Sequence, residues 1–119
     1  MALTFYGYPP CSTCRKAKKW LEAENISFDE YHIVENPPSK KELKAWKEQE
    51  GLDWKQFFNT SGKKYREMDL KTRLPKAAEE EILEWLASDG MLLKRPIVTD
   101  GESVTLGFKE AVFEEKWKA

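Results

Sequence analysis

Residues 8–21 read YPPCSTCRKAKKWL and contain both cysteines of the chain, Cys11 and Cys14. The six residues at 3–8, LTFYGY, alternate and are rich in aromatics, the pattern of a β-strand. Pro9 and Pro10 end that strand, because neither offers an N–H to a ladder. A helix is predicted from 13 or 14 to 24. Cys14, Ala17 and Leu21 share one face of it, and Arg15, Lys16, Lys18 and Lys19 surround the others. Asn25 is a stop signal, and residues 26–34, ISFDEYHIV, alternate again as a second strand. Strand, helix, strand in this order predicts a parallel βαβ unit with the cysteine pair where the helix opens.

Beyond the second strand the pattern changes. Pro37 and Pro38 break it, and Ser39 with Glu42 has the form of a capping box, in which each side chain satisfies the other's orphan N–H. Leu43, Trp46 and Ala45 form the buried side of the helix that follows, and Gly51 ends it. DWKQFF, at 53–58, supplies one or two further helical turns, and NTSGKK, at 59–64, is a loop. KAAEEEILEWLASDG, at 76–90, is a helix with an acidic first turn at Glu79–Glu80–Glu81, stopped by Gly90. Strands RPIVTD (95–100) and SVTLGF (103–108) flank Asp100-Gly101, a hairpin signal, and a last helix runs over about 109–117. The fold class is therefore α/β: a mixed four-stranded sheet flanked by helices. The core is expected over about 1–35 and 91–119, with a helical insertion over about 36–90, all within one domain of 119 residues.

Composition excludes several classes. Lys plus Arg is 20 and Asp plus Glu is 21, so the net charge of −1 argues against a nucleic-acid binder and against a polybasic membrane anchor. No apolar run is long enough to span a bilayer, and the N-terminus lacks the features of a secretory signal, so a soluble cytoplasmic protein is expected. Two cysteines do not make a disulfide scaffold. With one histidine, His32, and no second cysteine pair, a four-ligand zinc site is not expected, and no metal or cofactor is assigned. His32 reads as a packing residue. The five tryptophans fall mostly at amphipathic positions and read as core rather than as a ligand platform, with partial exposure of Trp20, Trp46 and Trp117, marking a partner surface, as the alternative.

The C-x-x-C spacing carries the chemistry. Cys11 falls near the helix N-cap, where unpaired N–H groups and the positive end of the helix dipole favour a thiolate. Such surroundings lower a thiol pKa from about 8.5 to roughly 3.5–7.5, and the basic run at 15–19 adds positive potential. Cys14, one turn in and more buried, is placed to attack a mixed disulfide held on Cys11. Three plainer alternatives stay open. The pair can be two buried structural cysteines, it can be a metal half-site shared across a dimer, and the basic run can be an ordinary solvated helix face.

FYGYPPCSTCRKAKKWLE (5–22), ENPPSKKELK (35–44), FFNTSGKKYRE (57–67), GMLLKRPIVTDG (90–101) and LGFKE (106–110) together resemble the arsenate reductase/Spx family of thioredoxin-like proteins. The resemblance runs nearly end to end and is greatest to the small arsenate-reductase-like members from Gram-positive bacteria. It implies a thioredoxin core with a helical insertion. It implies that Cys11 is the catalytic or redox cysteine and that Cys14 is the second thiol of the Spx-type pair. Arg95 matches an arginine that approaches the first cysteine, and Pro96 a proline whose preceding peptide bond is usually cis. Ser12 and Thr13, with Pro96, are expected as structural neighbours of the site. Two further arginines that would surround an arsenate are replaced, at Ser61 and Gly107. Lys63, Lys64 and Arg66 are the nearest candidates to compensate. Gly51 falls near a glycine with which Spx-type regulators contact RNA polymerase, beside its local reading as a helix C-cap.

The expectation is a monomeric thiol–disulfide oxidoreductase in which Cys11 attacks and Cys14 resolves. Its partner would be a thiol or disulfide substrate, either protein or low-molecular-weight. An Spx-like redox sensor that binds the RNA polymerase alpha subunit is the alternative, and arsenate reduction proper a second one. Neither direct nucleic-acid nor membrane binding is expected.

Overall fold

The computed structural model describes residues 3–118. The chain divides into two compact units, one of residues 1–32 and 95–119, the other Ile33–Lys94.

In the first unit, β1 (Leu3–Gly7) leads into α1 (Ser12–Ala23) and then β2 (Phe28–His32). After the second unit the chain returns as β3 (Ile97–Thr99), and β4 (Val104–Leu106) follows it. The four strands make one sheet in the order β2-β1-β3-β4. β1 and β2 run parallel, with Gly7 opposite His32, and β1 and β3 run antiparallel, with Tyr6 opposite Ile97. The mixed four-stranded sheet expected from the sequence is thus present, and the central strands are the apolar ones. β1 and β3 are buried almost throughout, whereas Asp29, Glu30 and Tyr31 of β2 are exposed. β2 is shorter than the predicted 26–34. It lies at the edge of the sheet and pairs on one side only.

The core of this unit forms on one face of the sheet. Leu3, Phe5 and Val98 meet Cys14, Ala17, Trp20 and Leu21 of α1, and Phe113 and Trp117 of the last helix. Cys14, Ala17 and Leu21 fall on one stripe, as helical periodicity requires, and Trp20 widens it. Trp20 lies at right angles to Phe113 with ring centroids 5.5 Å apart, a favoured aromatic geometry. The Trp117 indole N–H donates to Thr105 Oγ1 at 3.2 Å. Trp20 and Trp117 are therefore core residues, as is Trp46 in the second unit, at 9%, 8% and 4% exposure. The core reading of these tryptophans is borne out, and the alternative of a partly exposed surface at the three is not. Their amphipathic positions reflected a wide buried stripe, with Thr105 accepting the one polar atom of Trp117. Asn25 does stop α1, at φ 56°.

The second unit holds α2 (Lys40–Glu50), α3 (Lys63–Glu67), α4 (Leu70–Arg73) and α5 (Glu79–Ser88), with short 3-10 turns between them. The capping box at Ser39 and Glu42 is formed in both directions, and Gly51 closes α2 at φ 62°. Lys40 of α2 pairs with Glu80 and Glu84 of α5. Gly90 departs from its expected role. α5 ends before it, and the Asp89 carboxylate caps the next turn by accepting from the Met91 N–H at 2.9 Å. Gly90 is needed for another reason: a Cβ there would stand 2.2 Å from the Ile33 carbonyl oxygen and 2.9 Å from the Val34 Cα. The remaining helix, which we number α6, is Glu110–Trp117 in the first unit. Among the described residues, no helix is long and apolar enough to cross a membrane.

Gly90→Ala should therefore lower stability by about 1–3 kcal/mol, since backbone rather than a flexible side chain meets the added methyl. The urea midpoint measures this, and an unchanged midpoint would show that the two segments separate without cost.

Candidate functional site

The site grows from the end of β1. Gly7 is the last strand residue, and Tyr8 begins the turn that leads through exposed Pro9 and Pro10 to Cys11. The Cys11 N–H donates to the Tyr8 carbonyl at 2.9 Å, and the Cys11 carbonyl accepts from the Arg15 N–H at 3.1 Å. Cys11 thereby becomes the N-cap of α1, with an extended backbone at φ −77° and ψ 120°. The N–H groups of the first turn have no intrahelical acceptor, and the positive end of the helix dipole lies there. Cys14 falls one turn later on the inward stripe and is 4% exposed, while Cys11 is half-buried. The Tyr8 N–H approaches Cys14 Sγ at 3.5 Å. Both cysteines are free thiols. Of the residues between them, Ser12 is exposed and Thr13 half-buried.

Arg95 arrives from the other side. Arg95 stands two residues before β3, whose Ile97 pairs with Tyr6 of β1. The guanidinium carbon lies 5.2 Å from the centre of the Tyr8 ring, in cation–π contact. The Arg95-Pro96 peptide bond is cis, as the family resemblance implied. The Pro96 carbonyl accepts from the Gly107 N–H at 2.9 Å. Gly107 is at φ 78°, a left-handed conformation, so the glycine at this position answers a backbone requirement. His32, opposite Gly7, lies nearly perpendicular to the Tyr8 ring with centroids 5.5 Å apart, which fits the packing role read from the sequence.

These surroundings make the two thiols unlike. Burial pushes the Cys11 pKa up, but the backbone N–H and thiol of Cys14, then the nearby Arg95 guanidinium, outweigh it and hold Cys11 below the ordinary thiol value. For Cys14, burial prevails, and with the adjacent Cys11 it pushes the pKa up to about 12 against the favourable Tyr8 N–H and Arg95 charge. Much the same neighbours act on both sulfurs, and depth decides the sign. The basic run contributes less than the sequence implied. Arg15, Lys16 and Lys19 are exposed, and Lys18 is paired with Glu30 at 2.9 Å. The cation that acts on Cys11 comes from Arg95, far along the chain.

Beside Cys14 lies a cavity of about 270 Å³, lined by Tyr8, Arg15, Lys18 and Glu30 among others. Among the described residues, no cluster of three or more His, Cys, Asp or Glu side chains is arranged to hold a metal ion. Sequence reasoning overlooked Tyr8, which touches both cysteines through its backbone and Arg95 through its ring. The Tyr-Pro-Pro-Cys order was the available signal, since two prolines leave the residue before them to make the turn's hydrogen bonds.

Comparison with known proteins agrees with this architecture. The ArsC family model matches residues 6–116. YusI of Bacillus subtilis, an uncharacterised protein, is 65% identical over 98% of this chain and 99% of its own length. The regulatory protein MgsR of Bacillus subtilis is 35% identical, covering 89% of this chain and 82% of MgsR. The global transcriptional regulator Spx of Enterococcus faecalis is 32% identical, covering 91% and 80%. Among solved structures, an ArsC-related protein from Bacteroides fragilis superimposes with a TM-score of 0.91 at 47% identity, covering 97% of each chain. A possible arsenate reductase from Streptococcus mutans gives 0.89 at 41% identity, covering 97% of this chain and 98% of its own. The fold is thus the thioredoxin-like α/β fold, and this chain belongs to the ArsC family.

Proposed function

We propose that this chain is a cytoplasmic thiol–disulfide oxidoreductase in which Cys11 attacks and Cys14 resolves. The observation that carries the reading is the asymmetry of the pair. Cys11 is half-buried at the N-terminus of α1, where its pKa is held down, whereas Cys14 is buried and its pKa is pushed up.

The steps follow from that asymmetry. The Cys11 thiolate attacks one sulfur of a substrate disulfide. A Cys11–substrate disulfide forms, and the first substrate sulfur leaves as a thiolate that takes up a proton. Cys11 is then uncharged, so its contribution to raising the Cys14 pKa disappears while the favourable Arg95 charge remains. Cys14 gives up its proton to solvent and attacks Cys11 Sγ. The second substrate thiol departs, and the Cys11–Cys14 disulfide is left. Two electrons have passed from the dithiol to the substrate, and an external dithiol reductant must restore the pair. Burial thus keeps Cys14 silent until a mixed disulfide exists.

The identities to MgsR and Spx favour a second reading, a redox sensor whose disulfide alters a protein contact. The resemblance to Spx makes the RNA polymerase alpha subunit the partner to test. Capture of purified alpha subunit by the oxidised form, lost on reduction, would favour it over turnover. Arsenate reduction is disfavoured. Arg95 is the one arginine kept of the three that the resemblance implied, and Gly107 occupies a left-handed backbone position that a side chain would strain.

Cys11→Ser should abolish exchange with a disulfide substrate, while Cys14→Ser should accumulate a mixed disulfide on Cys11, visible by intact-protein mass. Normal cycling of Cys14→Ser without added thiol would contradict the assigned roles. The pH dependence separates the thiols independently. Thiolate is the reacting form, so a lowered pKa moves reactivity to lower pH. Iodoacetamide should label Cys11 with a profile that levels off below the ordinary thiol range, and Cys14 should stay protected until strongly alkaline pH. Parallel, ordinary profiles for the two would contradict the asymmetry.

A further inference from the structure

We propose that the cavity beside Cys14 is the entry of the external reductant, a low-molecular-weight dithiol bearing a carboxylate, which attacks the Cys11–Cys14 disulfide at Cys14 Sγ. The proposal rests on the reading of the pair as a dithiol–disulfide couple.

The cavity lies between α1 and the β1–β2 side of the sheet. Phe5 is paired in register with Glu30, so the two side chains share a face of the sheet. Phe5 is part of the core packed against α1, and Lys18, one turn after Cys14, reaches Glu30 at 2.9 Å. Buried Cys14 and Phe5 line the cavity on its core side, and exposed Arg15 and Glu30 line it on its solvent side. Cys11 is not among its walls, so a molecule in the cavity meets Cys14 first. The volume of about 270 Å³ falls just under the roughly 300 Å³ at which pockets for drug-sized ligands begin, which suits a small thiol and not a folded partner. Lys18 and Glu30 neutralise one another, whereas Arg15 forms no ion pair among the described residues. The net charge at the mouth is therefore that of Arg15, and a carboxylate complements it.

The chemistry favours the same sulfur. Exchange is faster when the departing thiol has the lower pKa. Attack at Cys14 expels Cys11, whose pKa is held down, whereas attack at Cys11 expels Cys14, whose pKa is pushed up to about 12. One thiolate of the reductant bonds to Cys14 Sγ, the Cys11–Cys14 bond breaks, and Cys11 leaves as a thiolate. The second thiol of the reductant gives its proton to solvent and attacks its own first sulfur. Cys14 departs and takes up a proton, and the reductant leaves as its own intramolecular disulfide. Two electrons have passed to the protein.

The test mixes the oxidised protein with mercaptopropionate, a monothiol that stops at the first step, and quenches with excess N-ethylmaleimide. Peptide fragmentation by mass then shows which cysteine carries the probe and which the maleimide. The probe should be on Cys14 and the maleimide on Cys11. At equal thiolate concentration, mercaptopropionate should react roughly two- to fivefold faster than uncharged mercaptoethanol, and Arg15→Gln should abolish that preference. The probe on Cys11, with the maleimide on Cys14, would overturn the proposal and leave the couple intact. A probe on Cys14 with no carboxylate preference, or with one that survives in Arg15→Gln, would overturn the assigned class of reductant. A protein that forms no Cys11–Cys14 disulfide would instead remove the reading beneath the proposal.

Discussion

Antiparallel pairing of β3 with β1 sets Ile97 opposite Tyr6, and Arg95, two residues earlier, meets the Tyr8 ring where no local sequence relation would put it. The rest of the site depends on that pairing. β1 delivers Tyr8 to the turn, the turn makes Cys11 the N-cap of α1, and α1 carries Cys14 inward one turn later. Two halves of the first unit, distant in sequence, meet at one sulfur. The Pro96 carbonyl, which accepts from Gly107, fastens the entry to β3 on its other side.

Depth then sorts the thiols. Burial opposes ionisation at both sulfurs, so it cannot by itself favour Cys11. Cys11 is lowered because a half-buried N-cap keeps its desolvation small enough for Cys14 and Arg95 to overcome. At Cys14 the same kinds of neighbour lose to burial. On the proposed reading the pair has an order of events, since loss of the Cys11 charge would make the deeper thiol easier to ionise. That order suits exchange with a disulfide partner and a redox-controlled contact alike, and the likeness to both MgsR and YusI is compatible with either use.

What the sequence disclosed follows the range of each interaction. Ser39 with Glu42, Asn25 and Gly51 were legible because a cap is decided within four residues. The mixed sheet was legible from alternation and from the Asp100-Gly101 turn, where the Asp100 carboxylate accepts from the Glu102 and Ser103 N–H groups. Gly90 was misread as a helix stop because its need for a missing Cβ comes from the Ile33 carbonyl, a non-local neighbour. The tryptophans were legible as core, and the partial exposure allowed for Trp20, Trp46 and Trp117 failed because a helical wheel shows which side faces inward and not how wide the buried stripe is. The basic run in α1 invited a local account of the Cys11 environment, whereas the guanidinium that helps to hold the Cys11 pKa down belongs to Arg95, which the family resemblance, and no local pattern, pointed to. The spacing placed Cys11 at the N-cap and Cys14 one turn deeper, as they are found; how far burial weighs on Cys14 needed the fold.

Everything proposed for the site requires that Cys11 and Cys14 be a working dithiol–disulfide couple. Equilibration of the protein in dithiothreitol redox buffers, read by the mass change on alkylation, tests this most directly. The account predicts reversible formation of an intramolecular disulfide with a potential in the thioredoxin-to-glutaredoxin range of about −270 to −200 mV. Failure to form that disulfide under any buffer ratio, with the fold intact, would contradict it and leave the cysteine pair a structural feature of α1.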